Sequence, residues 1–186
     1  MNKLVVTLLA GVLVVLTCAV QDLGGARGPA QVTHAIGPLA IMKRYCQLDA
    51  DGGLLTSGGR KEMAALVVPA GVMTMPEEVT VIRSFYVSGP TMTSERQALV
   101  RVDYVHLGFL ETATGRFRQE APGLHLAGDL TLSLSGDAWK IDGPVPGAFV
   151  TVASATRYVA DLRHKTTAIN VRKNADRTLA ALKRLR

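Results

Sequence analysis

The hydrophobic period of this sequence changes from helical to alternating between Leu66 and Val79, and that change restricts the fold more than any other feature. Upstream, GPLAIMKRYCQLDADGG sets Leu39, Met42 and Cys46 at helical spacing, with Ile41, Tyr45 and Leu48 widening the stripe. Pro38 suits a first helical turn and Gly52-Gly53 ends the helix. A shorter second helix is expected over 57–66, with Met63, Leu66 and Val67 as candidates for burial, and 69–76 reads as a loop. Downstream the period is two. A β-branched and aromatic run fills 79–87 until Gly89-Pro90 breaks it, and over 97–107 the residues Ala98, Val100, Val102, Tyr104 and His106 share one face. Leu124, Leu126, Leu130, Leu132 and Leu134 then alternate with polar residues, and after the Ser135-Gly136-Asp137 turn Trp139 and Ile141 share a face. Short turns between neighbouring strands imply antiparallel pairing, because parallel pairing needs a long crossover. The class expected is α+β: N-terminal helices packed on a curved antiparallel sheet, cone-like, with additional C-terminal helices.

The chain divides into four expected segments. Residues 1–19 have the layout of a secretory signal: Lys3, an uncharged apolar run from Leu4 to Leu16, and small residues Thr17 and Ala19 ahead of a cut after Ala19. Two alternatives stay open, an uncleaved membrane anchor and a lipid on Cys18. Export to the periplasm or beyond is expected. Residues 20–37, with Gly24, Gly25, Gly28 and Pro29, read as a spacer; 38–152 as the α+β domain; 153–186 as a basic helical extension. Cleavage leaves Cys46 as the lone cysteine, so no intramolecular disulfide can form, and its place in the apolar stripe predicts a buried small hydrophobe.

Charge is one-sided. The chain carries a formal net +6 from 21 Lys and Arg against 15 Asp and Glu. From Arg157 onward nine bases face two acids, Asp161 and Asp176, which leaves twelve bases against thirteen acids before it. The excess therefore belongs to the tail, where the plainer expectation is that Arg172, Lys173, Arg177, Lys183 and Arg184 solvate the outer face of a helix, and the alternative is a surface for anionic lipid. Nucleic acid is not expected as a partner, because no aromatic beyond Tyr158 interleaves with these bases.

Two stretches resemble a known family. YCQLDADGG, 45–53, is similar to the end of the first helix of the nuclear transport factor 2-like fold, the cone shared with ketosteroid isomerase and polyketide cyclases. SGDAWKIDG, 135–143, is similar to its penultimate Gly-x-Trp-x-Ile strand. The resemblance spans 38–143 and implies a pocket between the first helix and the concave sheet. The chain departs from the family by running on past the last strand.

Such a pocket makes Tyr45, Val102, Tyr104, His106, Leu130 and Trp139 the candidate ligand-binding residues. His106 with Tyr104 or Tyr45 would supply a base and a hydrogen-bond donor for lyase or isomerase chemistry on a small carbonyl compound. The plainer expectation is that His106, at a strand end beside Gly108, reaches solvent. Asp103 falls on the opposite face, and no leucine-rich strand position supplies the buried acid on which ketosteroid isomerase relies. His34, His106, His125 and His164 are scattered, so no metal is expected; GARG and TSGGRK lack the spacing of a phosphate loop. No cofactor is expected. The leading expectation is an exported, non-catalytic binding or interaction module of the cell envelope holding a small apolar ligand. The enzyme is the alternative, and a structural protein docked through its basic tail the third.

Overall fold

Pro38 opens helix α1 (Pro38–Ala50), whose N-cap is Gly37, and Gly52 ends it in the left-handed region at φ 88°. A single 3-10 turn, Gly53–Leu55, leads into α2 (Ser57–Ala64), capped where the Thr56 side chain accepts the Gly59 N–H. A Cβ on Gly59 would lie 2.5 Å from the Gly53 Cα, and one on Gly53 would lie 2.7 Å from the Leu48 carbonyl oxygen. Gly53 and Gly59 are thus explained by backbone approaching backbone, and Gly52 by its positive φ. The structure is a computed structural model describing residues 36–68, 72–143, 145 and 147–185. The signal segment, Cys18 and most of the expected spacer lie outside the described residues.

Six strands follow: β1 (Val67–Val68), β2 (Glu78–Ser94), β3 (Gln97–Glu111), β4 (Phe117–Ser135), β5 (Ala138–Asp142) and β6 (Phe149–Thr151). They form one strongly curled mixed sheet, a half-barrel, in the order β1-β5-β4-β3-β2-β6. The three inner ladders run antiparallel as the turn chemistry requires. The two edges correct the expectation of a wholly antiparallel sheet, because β1 lies parallel to β5 and β6 parallel to β2. Strands of two and three residues hold no alternation from which direction could be read. Gly89-Pro90 does not end β2 either; it sits in a gap of the β2–β3 register between Ser88 and Thr91, where an irregularity absorbs the missing proline donor.

A double irregularity in the middle of the β2–β3 ladder decides which face is buried. Val81 pairs with Gly108 and Ile82 with His106, so Leu107 is the extra residue on β3; Ile82 to Ser84 then skips Arg83 on β2. Each extra residue shifts the alternation by one, which sends the next residues to the opposite face. Gly108 is required there, since a Cβ would lie 2.3 Å from the Arg118 carbonyl oxygen. On one side of this point Ala98, Val100, Val102 and Tyr104 join Met42, Tyr45 and Cys46 of α1, Met63 of α2, and Leu132, Trp139 and Ile141 in a first buried cluster. On the other side Val79, Val81, Leu107 and Leu110 form a second cluster.

The second cluster is completed by the C-terminal helices α3 (Val152–Lys165) and α4 (Ile169–Lys183), through Val152, Ala155, Val159, Ala175 and Leu182. Thr151, which ends β6, caps α3 with its side chain. The Thr178 hydroxyl ties α4 to the β3–β4 turn, donating to the Gly115 carbonyl at 2.8 Å and accepting the Phe117 N–H at 3.0 Å. The Tyr158 hydroxyl donates to the Thr112 carbonyl at 2.8 Å, holding α3 to the end of β3. Of the leucines expected to face inward, Leu130 and Leu132 are buried and Leu126 and Leu134 half-buried, whereas Leu124 is 48% exposed where β4 bulges away from β3.

Candidate functional site

The most unusual chemistry in the described residues sits where α1 meets β6. Along α1 the buried positions are Ile41, Met42, Tyr45, Cys46, Asp49 and Ala50, so a carboxyl occupies a place in the apolar stripe. Asp49 is 1% exposed. Its Oδ2 accepts the Phe149 N–H at 2.9 Å, while Oδ1 is buried with no partner among the described residues. Burial pushes this carboxyl up to about 8, and the hydrogen bond from Phe149 pulls weakly the other way. Below that pH the group carries a proton.

Its neighbours are neutral and equally shut in. Burial, then Asp49, drive the Tyr45 phenol well above its ordinary value. The Tyr104 phenol is raised further, by burial first and then by Cys46, whose Sγ lies 3.7 Å from the hydroxyl. Burial pushes the Cys46 thiol up to about 11. The Tyr104 ring stacks on Phe149 with centroids 3.8 Å apart and planes within 6°. The chain thus links Asp49, Phe149, Tyr104 and Cys46 into one packed unit drawn from α1, β3 and β6.

This unit reaches the surface at one place. A cleft of about 210 Å³ is lined by Tyr104, Phe149 and the β4 segment from Leu126 to Leu130, which includes Asp129. Among the residues singled out from the sequence, Tyr104 and Leu130 therefore meet on the cleft wall. Tyr45, Val102 and Trp139 lie in the same buried cluster without lining it. His106 stands apart and does not reach solvent. It is 1% exposed, its Nε2–H donates to the Gly108 carbonyl at 3.0 Å, and its ring meets the Phe109 ring edge-on at 4.6 Å. The hydrogen bond and the ring contact place His106 at the face-switching irregularity, where it satisfies a carbonyl of the bulge, and its Nδ1 is buried without a partner among the described residues.

Asp49 is the residue that pattern reading missed. A signal was present: it stands four residues after Tyr45 and seven after Met42, on the stripe already assigned to the core. The acid-Gly turn that follows it in sequence drew it into the helix end instead. Among the described residues no three His, Cys, Asp or Glu side chains gather as a metal site would require.

The fold and the site together define an α+β protein in which a half-barrel sheet encloses a neutral, hydrogen-bonded acid and a stacked aromatic pair opening on a shallow cleft. Compared with protein families, curated proteins and solved structures, the chain matches none of them.

Proposed function

We propose that this chain is an exported, non-catalytic binding and interaction module of the cell envelope, built on a nuclear transport factor 2-like cone with α1 and α2 against the concave sheet, and that a small apolar ligand or partner side chain seats beside Tyr104 and Phe149. The observation that carries this reading is the stacked pair on the wall of the 210 Å³ cleft. An aromatic wall with a carboxylate among the lining residues suits a small aromatic or apolar guest. The volume falls below the roughly 300 Å³ at which drug-sized pockets begin, which favours a fragment-sized guest or an inserted side chain.

The enzyme reading draws on one observation, the protonated Asp49 beside Tyr45 and Tyr104, a trio able to donate hydrogen bonds to a carbonyl oxygen. Geometry argues against it. Asp49 is turned into the core and is not on the cleft wall, and His106 spends its Nε2–H on a backbone carbonyl. A group that never meets substrate performs no proton transfer.

The test is a titration of the ¹⁵N-labelled protein with phenol and with indole, followed by amide shifts. Saturable shifts at Ala127, Gly128 and Phe149 are expected, and they should vanish in Gly128→Val, which narrows the cleft on an open edge. Shifts that never saturate, or that spread over the sheet without regard to Gly128, would refute the site.

A further inference from the structure

We propose that the outer face of α4 is a docking surface for a bilayer containing anionic phospholipid. This surface is separate from the Tyr104 cleft and does not depend on it. With 3.6 residues per turn, the helix sets Ile169, Lys173, Arg177, Ala180 and Arg184 within an arc of about 80°. All five are exposed, and Ile169 is 71% exposed. The opposite face is consumed by Ala175, Thr178 and Leu182, which are buried. Nothing in the fold therefore needs the outer face to be basic.

The charge on that face is uncompensated. The two acids of the C-terminal helices are already engaged: Asp176 pairs with Arg163 of α3, and Asp161 with Lys165 at 2.7 Å. Among the described residues Lys173, Arg177 and Arg184 enter no ion pair. Arg172 and Lys183 flank them on the adjoining strip, and the bases from 172 to 184 extend along about 18 Å of helix. Since residues before Arg157 hold thirteen acids against twelve bases, the positive field leaves the molecule from this side.

Charge complementarity alone would fit any polyanion. The chain outside the described domain favours lipid: its first residues hold the uncharged run Leu4–Leu16, laid out as a membrane-targeting signal, and where that run is retained as an anchor only the 21 residues 17–37 separate it from α1. Fully extended, 21 residues reach about 70 Å, so a domain still tethered there stays within about that distance of the bilayer surface. Because the apolar face of α4 is committed to the core, the contact is electrostatic and lies at the level of the head groups, with Ile169 the large apolar side chain of this arc offered to the interface.

The experiment measures partition of the full chain into phosphatidylcholine vesicles and into vesicles with about 30% phosphatidylglycerol. Taking the ratio of the two cancels whatever the N-terminal apolar run contributes to both. Each base near an anionic surface is worth about fivefold in partition, so Lys173→Gln, Arg177→Gln and Arg184→Gln together should lower the ratio about 100-fold. The wild-type ratio should also collapse between about 0.05 and 0.5 M salt. Lys43→Gln with Arg83→Gln, two exposed bases off this face, should leave the ratio unchanged. A wild-type ratio near one, an equal drop in the off-face variant, or face-dependent binding to polyglutamate with none to vesicles would overturn the proposal.

Discussion

Replacing Asp49 by Asn should make this protein more stable, and more so as the pH rises. The carboxyl titrates near 8 in the fold against an ordinary 3.8, a difference of about four units. At 1.36 kcal/mol per unit, ionising it in the folded state costs roughly 5–6 kcal/mol more than in the unfolded chain. Below pH 4 both states hold the proton and the penalty is absent. Between about pH 4 and 8 the folded state keeps a proton that the unfolded chain has released, so this group makes stability fall by about 1.4 kcal/mol per pH unit. Above pH 8 the loss levels off at its full value. Local relaxation lowers the effective cost, so a gain of about 3 kcal/mol for Asp49→Asn at pH 8 is a fair floor. The amide oxygen can still accept the Phe149 N–H, so the two proteins should differ by less than about 1 kcal/mol at pH 4. Guanidinium denaturation of both at pH 4, 6 and 8 measures the difference directly. If the gap between them does not widen with pH, or if the Asn variant is the weaker at pH 8, the account of a buried, protonated carboxyl is wrong.

Three further outcomes follow from the packing. Gly59→Ala forces a Cβ to within 2.5 Å of the Gly53 backbone and should cost about 2–3 kcal/mol, read as a shift of the denaturation midpoint. Thr178→Val keeps the shape but removes both bonds to the β3–β4 turn; a loss of about 1–3 kcal/mol is expected, with faster amide exchange confined to α4 and residues 112–117. Cys46, buried and with its thiol pushed up to about 11, should resist a disulfide reagent at pH 8 in the folded protein and react at once in denaturant; prompt labelling of the native state would contradict the burial.

Much of the fold was legible because two periods were clean. The α1 stripe and the alternation of Val100, Val102 and Tyr104 each report one buried face: Ile41, Met42, Tyr45, Cys46 and the three strand residues are buried, and Leu39 and Leu48 partly so. What stayed hidden was whatever breaks a period. Leu107 is one extra residue in a ladder, and nothing in QALVRVDYVHLGFLE separates it from its neighbours, yet it moves Leu110 to the second cluster and traps His106 at the bulge. The β6 edge, three residues long, was too short to show direction. At the candidate site Tyr104 and Leu130 were readable from alternation. Phe149 and Asp49 were not, because their meeting depends on β6 returning past the end of α1, a contact across 100 residues of chain.

The offset at Leu107 means that one pair of strands serves two hydrophobic interiors in succession, as a thread passing from the front of a cloth to its back. Deleting that single residue would restore unbroken alternation along β3 and turn Leu110 away from α3 and α4, while the extra residue Arg83 would keep Val79 and Val81 of β2 facing them, so the two strands would no longer agree on a face. Attachment of the basic end of the molecule therefore rests on matched chain length at two positions, Arg83 and Leu107, more than on the identity of any side chain, and a substitution scan would pass over it.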